Sequence, residues 1–280
     1  MSPPHEAVAR PLGRVLIVAG SDSGGGAGIQ ADIKTVTALG GYAASAVTAL
    51  TAQNTLGVFG IRDVPPAFIV QQIEVVLEDI GADCVKIGML HRPEAVEAVG
   101  DLLRGWGAGI PLVLDPVMVA KGGQVLLVPE AVESLRRRLV PIATVLTPNL
   151  PEAHALAGLS PEPSVPATEL ADRLLALGPE AILVKGGHGE GPVITDVLLM
   201  RGAAPEIFAG PRIGTRHTHG TGCTLASAIA TGLAQGLGIR DAVVRARAYV
   251  AEAIRTAPGL GRGHGPLHHG HTVAPFPRER

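Results

Sequence analysis

The stretch His217-Thr218-His219-Gly220-Thr221-Gly222-Cys223-Thr224 sets a threonine between two glycines and a cysteine directly behind them. The small, apolar run Leu225-Ala226-Ser227-Ala228-Ile229-Ala230 follows and reads as a helix. Gly220, Thr221 and Gly222 then stand at a helix N-terminus, where free backbone N–H groups and a partial positive charge receive anions. A thiol at that position is expected to lose its proton more easily than a free one, so Cys223 is a candidate reactive group. The competing reading of Cys223 is a small buried hydrophobe.

Other residues suited to phosphate chemistry are scattered along the chain. Asn149 and Glu152 stand three residues apart on one side of a first helical turn. Such a pair can serve Mg²⁺, which takes few protein oxygens, or it can form a capping box. Asp115 precedes a proline after an apolar run, as a metal or phosphate partner or as a turn aspartate. Lys185 ends an apolar run before Gly186-Gly187 and suits a phosphate; Lys86 is placed similarly. The glycines at 24, 25, 26 and 28 bring backbone close to a ligand or form a plain turn. Their spacing is neither G-x-x-x-x-G-K-[ST] nor G-x-G-x-x-G, so Walker and Rossmann sites are disfavoured. The histidines at 264, 268, 269 and 271 match no standard metal spacing, and a solvated or lid-like tail is expected there.

These residues need a scaffold that brings them together. Short apolar runs at 14–19, 42–50, 83–87, 112–114, 144–146 and 181–184 read as strands, with a further short strand at 58–64. Helices are expected at 29–39, 66–80, 93–104, 129–139, 168–177 and 240–256, and a hairpin or edge pair at 193–200 and 206–209. The alternation predicts an α/β chain with a mostly parallel, doubly wound sheet. Ligands in such sheets bind beyond the carboxyl ends of the strands. Asp22, Gln53, Lys86 with Met89, Asp115, Asn149 with Glu152, and Lys185 all fall at such ends. One domain over 14–270 is expected, between a loose arm at 1–13 and a tail at 271–280.

Composition narrows the partners. Aliphatic residues must build the core, because hydrophobics make up 46% and aromatics only 2%. A net charge of −2 gives no basic footprint for nucleic acid or an anionic membrane. Two cysteines far apart make no disulfide framework, and no apolar run spans a membrane or forms a signal peptide. A cytoplasmic protein is expected.

The motifs taken together resemble the hydroxymethylpyrimidine/phosphomethylpyrimidine kinases of thiamine biosynthesis, in the ribokinase-like superfamily. The resemblance rests on AGSDSGGGAGIQADIK (19–34), TAQNT (51–55), KIGML (86–90), LDPVM (114–118), TPNLPE (147–152), VKGGH (184–188) and HGTGCTL (219–225). It implies a three-layer α/β/α sandwich and two successive ATP-dependent phosphorylations, first of the hydroxymethylpyrimidine and then of its monophosphate. By the same resemblance Gln53 would bond the aminopyrimidine, with Asp32 and Met89 lining its pocket and Gly20 bringing backbone to the ring. Gly220, Thr221 and Gly222 would form the anion hole, and Cys223 would stand where many sugar kinases of the superfamily have a basic aspartate. Lys185 would contact ATP phosphates, and Asn149, Glu152 and Asp115 would serve Mg²⁺ directly or through water. The family also implies a homodimer. Mobile segments that close the site would be 120–123 and 188–192. Pyridoxal kinase, with the same fold, is the alternative activity; a non-catalytic pyrimidine sensor is the alternative of a different class.

Overall fold

The computed structural model describes residues 13–160, 165–187 and 191–274. Nine strands form one sheet in the order β3-β2-β1-β4-β5-β6-β7-β8-β9. Its centre is parallel: β2 (Tyr42–Asn54), β1 (Arg14–Asp22), β4 (Cys84–Ile87), β5 (Leu112–Leu114), β6 (Val145–Leu146) and β7 (Ala181–Val184). At one edge β3 (Gly57–Asp63) pairs antiparallel with β2; at the other, β8 (Val193–Met200) and β9 (Glu206–Pro211) form the expected hairpin.

The central strands read as unbroken apolar runs because both their faces are covered. Leu16, Val18, Val85, Ile87, Leu114, Leu146 and Ile182 face one cluster with helices α2 (Pro66–Asp79), α3 (Pro93–Gly105), α4 (Pro129–Arg138), α5 (Leu150–Ala157) and α6 (Ala167–Leu175). Val15, Ile17, Cys84, Val113, Val145 and Leu183 face the other, with α1 (Gly28–Ala38), α7 (Thr221–Ala234) and α8 (Ile239–Arg255). The period-two alternation of the strands thus divides the core into two layers. Three layers result, as expected of the ribokinase-like class.

Two expectations change. β2 runs four residues past the expected end, because β3 pairs with Leu50–Asn54 after the apolar pattern has stopped. The tail is not a solvated appendage. His219 N–H bonds Gly265 O, His264 N–H bonds Thr55 O, and the Thr272 hydroxyl bonds Ala38 O. His269 is 4% exposed, because it packs on α7 and α8 rather than facing water. Of the two expected closing segments, 120–123 is a tight turn with Gly123 N–H on Ala120 O; residues 188–190 lie outside those described.

Candidate active site

The site is assembled at the carboxyl end of the sheet around the start of α7. Gly220 caps that helix with φ 84°, a left-handed conformation. A side chain there would overlap the Gly26 carbonyl, so the helix start is pressed against the loop after β1. The Thr221 hydroxyl donates to Thr218 O at 2.7 Å, which tightens the same turn. At Gly222 a Cβ would lie 3.3 Å from Lys185 Nζ and 3.5 Å from Asp115 Oδ2. The ends of β5 and β7 therefore meet the free N–H groups of α7.

Lys185 Nζ donates to Asp115 Oδ1 at 2.7 Å and lies 4.0 Å from Glu152 Oε2. The Thr147 hydroxyl also donates to Asp115 Oδ1, at 3.2 Å. Burial works against the Lys185 ammonium, but Asp115 and Glu152 outweigh it and raise its pKa. Asn149 and Glu152 form a complete capping box on α5, with bonds of 2.8 and 2.9 Å. The capping reading of this pair is therefore realised, and the cap itself holds the Glu152 carboxylate beside Lys185. Burial pushes Glu152 up to about 7, against the pull of Lys185 and with Asp115 adding to the push.

Cys223 departs from expectation. Burial pushes its thiol up to about 12; Lys86 and the Gly28 N–H pull down, while Asp32 and Asp115 push up. The residue keeps partial exposure, but its sulfur sits among protein groups that include two carboxylates. The helix N-terminus does not win against that surrounding, so the thiol is less acidic than a free one, not more.

The opposite wall comes from β1, β2 and the segment after β4. At Gly20 a Cβ would fall 2.6 Å from Met89 Cε, so glycine there lets the methionine lie against the backbone. Gln53, half-buried, points its amide at His219, 3.2 Å from the ring Nε2. Gln53 and His219 share a cleft with Lys121 and His264. Asp32 is placed differently from the resemblance. It is fully buried and lines no open wall: its carboxylate accepts from Lys86 Nζ at 2.8 Å and from the Ser227 hydroxyl at 2.7 Å. Lys86, also fully buried, is likewise no phosphate ligand in this arrangement.

The comparisons with known proteins agree with this fold. The family model described as phosphomethylpyrimidine kinase matches residues 22–268. The chain belongs to the phosphomethylpyrimidine kinase family. It is 48% identical over 270 residues to the hydroxymethylpyrimidine/phosphomethylpyrimidine kinase of Streptomyces coelicolor, covering 96% of this chain and 98% of that one. It is 53% identical over 259 residues to the thiamine biosynthesis bifunctional protein ThiED of Geobacter sulfurreducens, covering 92% of this chain but only 52% of that protein. Among solved structures, the phosphomethylpyrimidine kinase of Clostridium difficile superposes with a TM-score of 0.75 at 42% identity, over 86% of this chain and 99% of that one. The ADP complex of Bacillus subtilis pyridoxal kinase superposes with 0.83 at 32% identity, over 92% and 97%.

Within the family fold, pairings that the motifs do not advertise also shape the site. Asp22, 2% exposed, accepts from the backbone N–H groups of Gly24, Gly26 and Ala27 and stands 2.9 Å from His219 Nε2. His219 lay in plain view beside the Gly-Thr-Gly motif, but its partner is 197 residues away. His269 reaches Thr224 on α7 at 3.0 Å. No signal in the glycine- and histidine-rich tail separates that buried ring from its exposed neighbours.

Proposed function

We propose that this chain transfers a phosphoryl group from ATP to 4-amino-5-hydroxymethyl-2-methylpyrimidine, and then to the resulting monophosphate, in thiamine diphosphate biosynthesis. The observation that carries this reading is the meeting of Lys185, Asp115 and the Gly220-Thr221-Gly222 helix start within one crevice. Lys185 has a poised ammonium that a phosphate oxygen can take over from Asp115. The backbone N–H groups of Gly222 and Cys223 at the helix start would receive the charge that builds on the transferred group, while the Thr221 N–H turns to Thr218 O at 3.4 Å. Gln53, Met89 and Gly20 would hold the pyrimidine ring, and Cys223 would lie beside the acceptor oxygen.

Asp115 and Glu152 suit Mg²⁺ held through water. Their carboxylates converge on one ammonium, Asn149 is spent on its cap, and no set of three or more candidate metal-ligating side chains exists among the described residues. Such a donor set matches a cation that keeps most of its waters and leans on one or two carboxylates. When bound, Mg²⁺ supplies charge neutralisation on the phosphates.

The experiment is direct. Purified protein with Mg²⁺-ATP and the hydroxymethylpyrimidine yields ADP, followed by mass spectrometry of the mono- and diphosphate. Lys185→Ala loses at least about 100-fold in kcat/KM, an oxyanion-donor-sized effect. Turnover of pyridoxal with none of the pyrimidine would replace this reading by the pyridoxal kinase one; pyrimidine binding with no ADP from either would leave the sensor.

The same reading takes residues 14–270 as one domain and the protein as a cytoplasmic homodimer. Among the described residues no helix is long and apolar enough to cross a membrane. Leu56 and Phe59, 52% and 70% exposed, lie at and beside the unpaired edge strand β3, and a second copy would cover them. Sedimentation equilibrium checks this: a monomer mass for the wild type discards the dimer.

A further inference from the structure

The proton inventory around His219 fixes the orientation of Gln53. Asp22 Oδ1 accepts the Gly24 N–H at 2.8 Å, and Oδ2 accepts those of Gly26 and Ala27 at 3.1 and 2.8 Å. Burial raises the Asp22 pKa, but His219 and the backbone donors outweigh it and leave the group below its usual value. An ionised carboxylate only accepts. His219 Nε2, 2.9 Å from Oδ2, must therefore carry a proton and donate it, whatever the charge on the ring.

A protonated ring nitrogen accepts nothing. The Gln53 amide nitrogen is placed 3.2 Å from it, donor against donor; turned over, the amide oxygen takes that place and shares the one Nε2 proton with Asp22, since the two ends of an amide are told apart by their partners. The amide nitrogen turns to Thr51, 3.2 Å away. Thr51 can receive it, because the one hydroxyl proton of Thr51 goes to Ser21 O at 2.9 Å. The opposite orientation would set two donors face to face at His219, with no acceptor between them.

We propose that Asp22 and His219, with Thr51, act as positioning residues that lock the Gln53 amide in one orientation and so select which ring edge the site accepts. This rests on the reading that Gln53 meets the substrate ring. Beside its hydroxymethyl carbon the aminopyrimidine carries an exocyclic amine and then a ring nitrogen: a donor, then an acceptor. Pyridoxal carries a formyl oxygen and then a hydroxyl: an acceptor, then a donor. A locked amide matches one order and leaves polar groups unpaired against the other, which is a strong basis for rejection. An amide free to turn serves both. The lock is thus a selector between two vitamin precursors that share a reacting group.

The first test is spectroscopic and uses the wild-type protein. Long-range ¹H–¹⁵N correlation on labelled protein, with the His219 ring assigned by its loss in His219→Phe, shows a protonated Nε2; a bare Nε2 overturns the lock. The second uses calorimetric Kd values for both ligands in the wild type, Asp22→Asn, Thr51→Val and Gln53→Ala. Asp22→Asn and Thr51→Val loosen the amide from its two ends. In each, the preference for pyrimidine over pyridoxal falls by about ten-fold or more. An unchanged preference in a variant that keeps the wild-type urea midpoint overturns the selector. Gln53→Ala separates the two readings: if it leaves pyrimidine Kd unchanged, Gln53 does not touch the ring and the selector falls, whereas kinase activity still stands on its own assay.

Discussion

On the proposed reading Cys223 lies beside the acceptor oxygen, yet its thiol is pushed up to about 12, chiefly by burial. At neutral pH it holds its proton and cannot draw one from an alcohol before attack. On that reading its remaining contribution is to orient the acceptor hydroxyl and to hydrogen-bond its oxygen, while the hydroxyl proton passes to an oxygen of the transferred phosphoryl group. The second phosphorylation attacks with a phosphate oxygen that is ionised from the start and has no proton to pass. Cys223→Ala should therefore slow the first step by about ten- to a hundred-fold, the scale of a lost orienting contact, and the second by much less. Single-turnover assays on each substrate decide it; equal losses would show that Cys223 supports the helix start instead. The position of Cys223 was legible in the sequence, because the glycines and the apolar run mark a helix N-terminus. Its acidity was not, because Lys86, Asp32 and Asp115 reach it from three other elements. The pairing of Asp22 with His219 escaped for the same reason: Asp22 was legible at a strand end, but His219 looks like a loop residue until Asp22 stands beside it.

At the scale of elements, the strands of the sheet were legible and the final segment was not. A central strand reports itself through a continuous apolar run, since helices cover both faces. The segment after α8 carries no such run, and its order comes from polar bonds to other elements. The Thr224 hydroxyl gives its proton to Gly220 O, so the His269 ring at 3.0 Å must donate to Thr224 through Nε2. The Tyr249 hydroxyl holds His269 O at 2.5 Å. One buried imidazole thus pins the segment to the first turn of α7, where the proposed anion hole lies. Burial lowers the His269 pKa to about 4, and Lys34, His268 and His271 add to the lowering. The folded protein prefers the neutral ring, while the unfolded chain takes up a proton near the ordinary histidine value. Stability from this residue is complete above about pH 6.5 and is lost as pH falls toward 4, by up to about 3 kcal/mol. Urea midpoints measured at pH 7.5 and 4.5 should draw together in His269→Gln, relative to the wild type. An equal acid loss in both proteins would mean that other groups carry it.

Across the whole molecule, α1 and α7 are tied to the sheet and to each other through one buried ion pair. Lys86 rises from β4, Asp32 descends from α1, and Ser227 of α7 closes the triad at 2.7 Å. Burial opposes the Lys86 charge, but Asp32 outweighs it and raises its pKa well above the usual range for lysine. Both side chains are completely excluded from water, so the pair replaces hydration that would otherwise be lost. The Asp32 carboxylate, with one oxygen on Lys86 and the other on Ser227, ties α1 to α7 in one register. Lys86→Met leaves Asp32 buried without its partner and should cost about 3–5 kcal/mol in urea unfolding. Adding Asp32→Leu removes the stranded charge, and the Ser227 hydroxyl can turn to a carbonyl of its own helix. The double variant should recover most of the loss. A double variant as unstable as the sum of the two single ones would mean that the groups act separately and that some other contact sets the register of the two helices.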